Sequence, residues 1–166
     1  MKEEPVARFE FISPMFMFDC FGRTAPLEKE SLPQRKTKGS AGYDFFAREP
    51  FVIPAKETVK IATGIKCFIK DGFVLKIYPR SSLGFKYRLS LCNTTGVIDS
   101  DYYNNPENDG HIYIKLYNPT CNDIHIKSGE AYAQGIFERF YLAEEDEVTA
   151  ERVGGIGSTN TIREEK

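Results

Sequence analysis

Two carboxylates set two residues apart, Asp99 and Asp101, stand in the segment 93–102 (NTTGVIDSDY), the densest run of chemically useful side chains in the chain. A carboxylate on a bend can take a proton from a water and be aimed by its backbone, which makes it a candidate general base. Gly96 marks the bend of an expected hairpin. Taken alone, the segment favours a plainer reading, a turn aspartate bonding its own backbone.

The segment 79–84 (PRSSLG) follows a strand-like run and offers phosphate a guanidinium fork at Arg80, with small residues that let backbone N–H groups face an anion. By itself an Arg-Ser-Ser turn is more often structural. Near the C-terminus, 152–159 (RVGGIGST) combines glycines that permit close backbone approach with donors at Arg152, Ser158 and Thr159. Gln134, in 129–137 (GEAYAQGIF), and Asp44, in 40–44 (SAGYD), are polar residues on apolar runs. Each requires partners if buried, since an unsatisfied amide costs about 1–3 kcal/mol. Both fit a core polar network as readily as a ligand site.

Several chemistries are excluded. The glycine and lysine pattern of a Walker A loop is missing, and the C-terminal glycines do not follow a strand and open a helix as a dinucleotide fingerprint does. Cys20, Cys67, Cys92 and Cys121 form no CxxC pair and only His111 and His125 accompany them, so a structural zinc cluster is not expected. The cysteines are expected to be ordinary reduced thiols.

The elements that must position these residues read as short strands. Runs at 59–63 and 66–70 alternate apolar with polar, 73–78 follows the turn pair Asp71-Gly72, and 89–92, 112–117, 124–126 and 133–141 complete the set. No stretch sustains a helical period. Many short strands at close spacing predict an all-β sandwich, barrel or jelly roll. Residues 1–39, an extension rich in charge and proline that also includes a first strand, and 144–166, with Gly154, Gly155 and Gly157, are expected to be mobile segments flanking a core over 40–143.

With 166 residues the chain fits one domain with a sizeable core. Twenty-two basic against 24 acidic residues give a formal charge of −2, which argues against a nucleic-acid-coating protein. The apolar stretch 9–21 is interrupted by Pro14 and Asp19 and falls short of the roughly 20 apolar residues that span a bilayer. The expectation is a cytoplasmic protein with no membrane and no nucleic-acid partner.

In this order and spacing, 40–44, 79–84, 93–102, 129–137 and 152–159 resemble the five motifs of the trimeric dUTP pyrophosphatases, a likeness running from Leu32 to Thr159. The resemblance implies a jelly-roll-like distorted β-barrel, a homotrimer with active sites shared between subunits, dUTP as substrate and Mg²⁺ as cofactor. It implies that uracil is read by the Asn93 side chain and main-chain groups at Val97 and Ile98. Tyr102 would lie against the deoxyribose and Tyr113 would join the same pocket. Asp99 would activate the water that attacks the α-phosphorus. Arg80, Ser81, Ser82 and Gln134 would surround the triphosphate, and Asp44 would reach the metal through water. The residues 144–166 would form an arm in which Arg152, Ile156, Gly157, Ser158 and Thr159 close over the nucleotide.

The sequence departs from the family pattern in two places. Ile156 stands where the arm usually carries a phenylalanine that stacks on the base, and 103–111 replaces a short turn with a longer loop. That loop reads as a surface insertion, with a substitute lid through Tyr103 or His111 as the alternative. Two rival functions remain. A dCTP deaminase shares the fold but carries a catalytic glutamate where this chain has Lys115. A binding or regulatory protein would keep the pocket without the chemistry, against which stand Asp99, Arg80, Gln134 and Arg152.

Overall fold

The structure is a computed structural model and describes residues 4–26, 30–150, 152 and 154–156. Its strands are β1 (Ala7–Phe11), β2 (Tyr43–Phe46), β3 (Phe51–Ile53), β4 (Thr58–Ala62), β5 (Ile65–Ile69), β6 (Phe73–Pro79), β7 (Ser90–Leu91), β8 (Gly96–Ile98), β9 (Tyr113–Tyr117), β10 (Ile124–Ile126) and β11 (Ala131–Arg139). The strands of the described residues pair antiparallel, in sheets ordered β1-β5, β10-β3, β2-β11-β6-β8 and β4-β9-β7. The all-β expectation holds, as a jelly-roll-like arrangement distorted enough that these sheets do not close into a barrel.

Alternation explains most of the core. Leu75 and Ile77 on β6, Ile114 and Leu116 on β9, and Ile124 and Ile126 on β10 are buried at every second position, with polar neighbours between them. Burying each such side chain contributes about 1.5–3 kcal/mol. Phe45, Ile53 and Tyr132 fill the space between these strands.

Three expectations are corrected. Within residues 1–39 the described part is not simply a mobile segment and holds a first strand: β1 pairs along its length with β5, from Ala7↔Ile69 to Phe11↔Ile65. Two short helices exist where no helical period was visible, α1 (Pro14–Phe21) and α2 (Ser81–Tyr87). Two turns cannot display a stripe, and α1 is apolar on most sides. Its punctuation was nonetheless written in the chain, with Ser13 and Pro14 opening it and Gly22 closing it in the left-handed conformation at φ 68°.

The third correction concerns 93–102. β7 and β8 do not pair with each other as a hairpin; β7 joins β9, whereas β8 crosses to β6. Gly96 is not the bend either. It opens β8 opposite Ile77, where an added Cβ would lie 3.0 Å from the Ile77 Cβ. The close crossing of two strands, rather than a tight turn, is what requires glycine there.

Candidate active site

β8 is an edge strand, bonded to β6 on one side only. Antiparallel geometry turns alternate N–H and C=O groups of such a strand outward, ready to pair with something else. Beside that edge lies a cavity of about 280 Å³ walled by Asn93, Gly96, Val97, Ile98, Asp99, Tyr102, Tyr113, Arg152 and Ile156, with Ile77, Leu91 and Ile114 as its floor. Eight of the residues expected at the site thus come together, with Gly96 supplying backbone. Gly157, Ser158 and Thr159 lie outside the described residues.

Asp99 follows β8 directly and caps a 3₁₀ turn over Ser100–Tyr102, so its carboxylate stands at the rim, its side chain 51% exposed. The guanidinium of Arg152 reaches back to it at 2.8 Å and to Asp101 at 2.8 Å. That arginine also stands 5.7 Å from the centre of the Tyr102 ring. Tyr102 is 6% exposed, and its hydroxyl donates to the His111 carbonyl at 2.8 Å while accepting from Asn108 Nδ2 at 2.8 Å. Burial, the largest cause, pushes the Tyr102 phenol above its usual pKa, so it stays a neutral donor. Burial does the same to Tyr113, followed by its contact with Cys20.

The loop 103–111 is not a loose surface insertion. Asn105, Asp109 and His111 are buried. Lys66 on β5 reaches it with bonds to Asp109 at 2.9 Å and Asn104 at 2.6 Å, and the Ser13 N–H donates to the other Asp109 oxygen at 2.6 Å. His111 Nε2 accepts the Gly64 N–H at 2.8 Å, which places the proton of the neutral ring on Nδ1, 3.7 Å from Cys20 Sγ. Tyr103 is turned to Glu10, 2.8 Å away. Neither candidate for a substitute lid is one: Tyr103 and His111 are tied into the body of the protein.

A second cavity, of about 380 Å³, collects Asp44, Arg80, Ser81 and Gln134 with Lys36, Ser40, Ala41, Gly42 and Ile136. Asp44 on β2 and Gln134 on β11 are partners in register. Arg80, just after β6, bonds Asp44 Oδ2 at 2.7 Å, and Gln134 Nε2 donates to the Pro79 carbonyl at 3.3 Å. Asp44 is 5% exposed and therefore serves first to hold the guanidinium in place. Ser81 and Ser82 open α2 and are exposed; the first N–H groups of any helix lack partners within it. Arginine, serines and unpaired N–H groups are donors suited to phosphate.

The two cavities share no lining residue. A larger one, of about 510 Å³, lies between α1 and the β3–β4 region and takes from the five motifs only the buried Tyr132. Its cations are already engaged: Arg23 and Arg48 with Glu30, and Lys60 over the Tyr113 ring at 4.1 Å. Among the described residues no group of three His, Cys, Asp or Glu side chains gathers as a metal site. Sequence reasoning missed Asn108 and Lys66, whose parts depend on contacts made by the loop; the unusual length of 103–111 was the one signal pointing there.

Comparison with known proteins follows the same residues. The dUTPase family model matches residues 28–160. A deoxyuridine 5'-triphosphate nucleotidohydrolase of Lactococcus lactis is 44% identical over 131 residues, 78% of this chain and 87% of that protein. The protein of the same name from Paramecium bursaria Chlorella virus 1 is 38% identical over 138 residues, 80% of this chain and 92% of the viral one. Among solved structures, the dUTPase from Streptococcus mutans aligns with a TM-score of 0.68 at 38% identity, covering 82% of this chain and 98% of that one.

Proposed function

The chain belongs to the dUTPase family and hydrolyses dUTP, and from that premise we propose how its residues divide the work. Uracil lies along the open edge of β8, where outward backbone groups at Val97 and Ile98 and the Asn93 amide meet its acceptor–donor–acceptor edge. Cytosine places a donor where uracil has an acceptor and leaves buried groups unpaired. Tyr102, held by bonds to His111 and Asn108, packs on the sugar and leaves no room for a 2′-hydroxyl.

Asp99 accepts the proton of a water whose oxygen attacks the α-phosphorus, and the bond to the leaving pyrophosphate breaks. Arg80, Ser81, Ser82 and Gln134 hold the phosphates. Arg152 exchanges Asp99 and Asp101 for phosphate oxygens, which frees the base as substrate arrives; Ile156, Gly157, Ser158 and Thr159 belong to the same closing arm. The observation that carries this reading is Asp99 standing exposed at the mouth of a cavity walled by the β8 edge and Tyr102.

The lack of a carboxylate cluster among the described residues fits a Mg²⁺ borne chiefly by the triphosphate. Asp44, with one oxygen on Arg80, keeps the other for a water-mediated contact to it. The ion supplies charge neutralisation on the phosphates. Because Asp99 and Arg80 line different cavities of one chain, we take the complete site to be shared between copies, in a homotrimer.

Pyrophosphate release from dUTP, dCTP, UTP and dTTP, with and without Mg²⁺, tests the reading. Release should be confined to dUTP and fall on chelation. Asp99→Asn should lower turnover by about 10²–10⁴-fold while nucleotide still binds. Near-normal turnover in that variant would remove Asp99 from the role.

A further inference from the structure

We propose that Glu107 is a positioning residue for the C-terminal arm, and that the loop 103–111 is the seat on which the arm closes. The inference rests on the dUTP-hydrolysing site described above and deepens it by naming what holds its cover. Four observations carry it. The Glu107 carboxylate accepts the Gly155 N–H, a charge-assisted bond to backbone. Gly155 is buried, and an added Cβ would lie 2.8 Å from Asn108 Nδ2 and 3.2 Å from Glu107 Oε2, so a side chain there would have to displace the two groups that form the seat. Three residues earlier, Arg152 is fixed to Asp99 and Asp101. Ile156, one residue later, is 71% exposed.

Among the described residues the arm is gripped by polar contacts on its backbone and at Arg152, while the Ile156 side chain stays exposed. The seat is firm: Asn105 Nδ2 donates to the Tyr102 carbonyl at 2.8 Å and to Asn108 Oδ1 at 2.7 Å, and Asp109 is locked by Lys66. Adjacent residues thus serve two parts of the site, Asn108 the Tyr102 hydroxyl and Glu107 the arm. With Gly155 held, Arg152 moves from carboxylates to phosphates as a side chain on an anchored backbone, and less of the tail must be ordered when substrate binds.

The test uses the full chain with Glu107→Ala, Glu107→Gln and Gly155→Ala. Glu107 is exposed, so none of its variants should shift the melting temperature appreciably. Glu107→Ala should raise KM for dUTP and lower kcat/KM about tenfold with a smaller change in kcat, and Glu107→Gln, which keeps an acceptor, should lose less. Gly155→Ala should match Glu107→Ala, and the double variant should be no worse than either, because both remove one contact. Trypsin cleavage after Arg152, followed without nucleotide, should quicken in Glu107→Ala. Unchanged cleavage and kinetics in Glu107→Ala, or fully additive losses in the double variant, would overturn the proposal. The cleavage assay does not depend on turnover, so it judges the clasp even if dUTP were not the substrate.

Discussion

His111 is 1% exposed and joins the Gly64 N–H, the Cys20 thiol and the Tyr113 ring, whose centre lies 4.2 Å from its own. Burial, and then the nearby Lys60 charge, push its pKa from 6.5 down to about 4, against a smaller opposing pull from Asp109. The unfolded ring takes a proton near its ordinary value; the folded one does not until far lower pH. Stability from this neutral ring is thus complete above about pH 6.5 and is lost as pH falls toward 4, to a limit of about 3 kcal/mol. Urea unfolding of the wild type and His111→Gln across that window should show a steeper pH slope for the wild type. Equal slopes would mean that His111 is not responsible. At this scale the sequence was uneven in what it disclosed. Asp99, Tyr102 and Arg152 were singled out through the resemblance of their motifs, and the structure brings the three to one cavity. The part of His111 could not be read, since it comes from Gly64 and Cys20, far along the chain.

Strands with alternating patterns were legible, and so were the turns between them. β8 was misread because a three-residue strand carries too little pattern to reveal its partner, and a glycine that permits a close crossing looks the same as one that permits a bend. β5 shows a similar limit. Its alternation predicts Lys66 facing water, yet the loop 103–111 covers that face and Lys66 is 7% exposed. Its ammonium pairs with Asp109, itself 9% exposed, and breaking a buried pair on one side leaves a charge uncompensated. Asp109→Ala should therefore cost about 3 kcal/mol, with the Asn104 contact and partial hydration softening the loss. The measurement is a lower urea midpoint at unchanged m-value; a shift below about 0.5 kcal/mol would show that the pair does not hold the loop down.

For the molecule as a whole, the fold class and the set of motifs were legible, but their grouping was not. Spacing along the chain does not say that Asn93, Asp99, Tyr102 and Arg152 wall one cavity while Asp44, Arg80 and Gln134 wall another. No helix among the described residues is long and apolar enough to cross a membrane. The division between cavities has a consequence for mixtures of chains. With the proposed sharing, in which one subunit lends its base and another its phosphate donors, damage to either half would be masked by a neighbour intact in that half. Asp99→Asn and Arg80→Gln chains, each inactive alone, should regain dUTP hydrolysis when made in the same cell, reaching about a quarter of normal sites in randomly assorted trimers. Equal parts mixed after purification should stay silent until subunits exchange. Two defective alleles would then supply one working enzyme, whereas a single defective allele beside a sound one would cost only its own share of the sites.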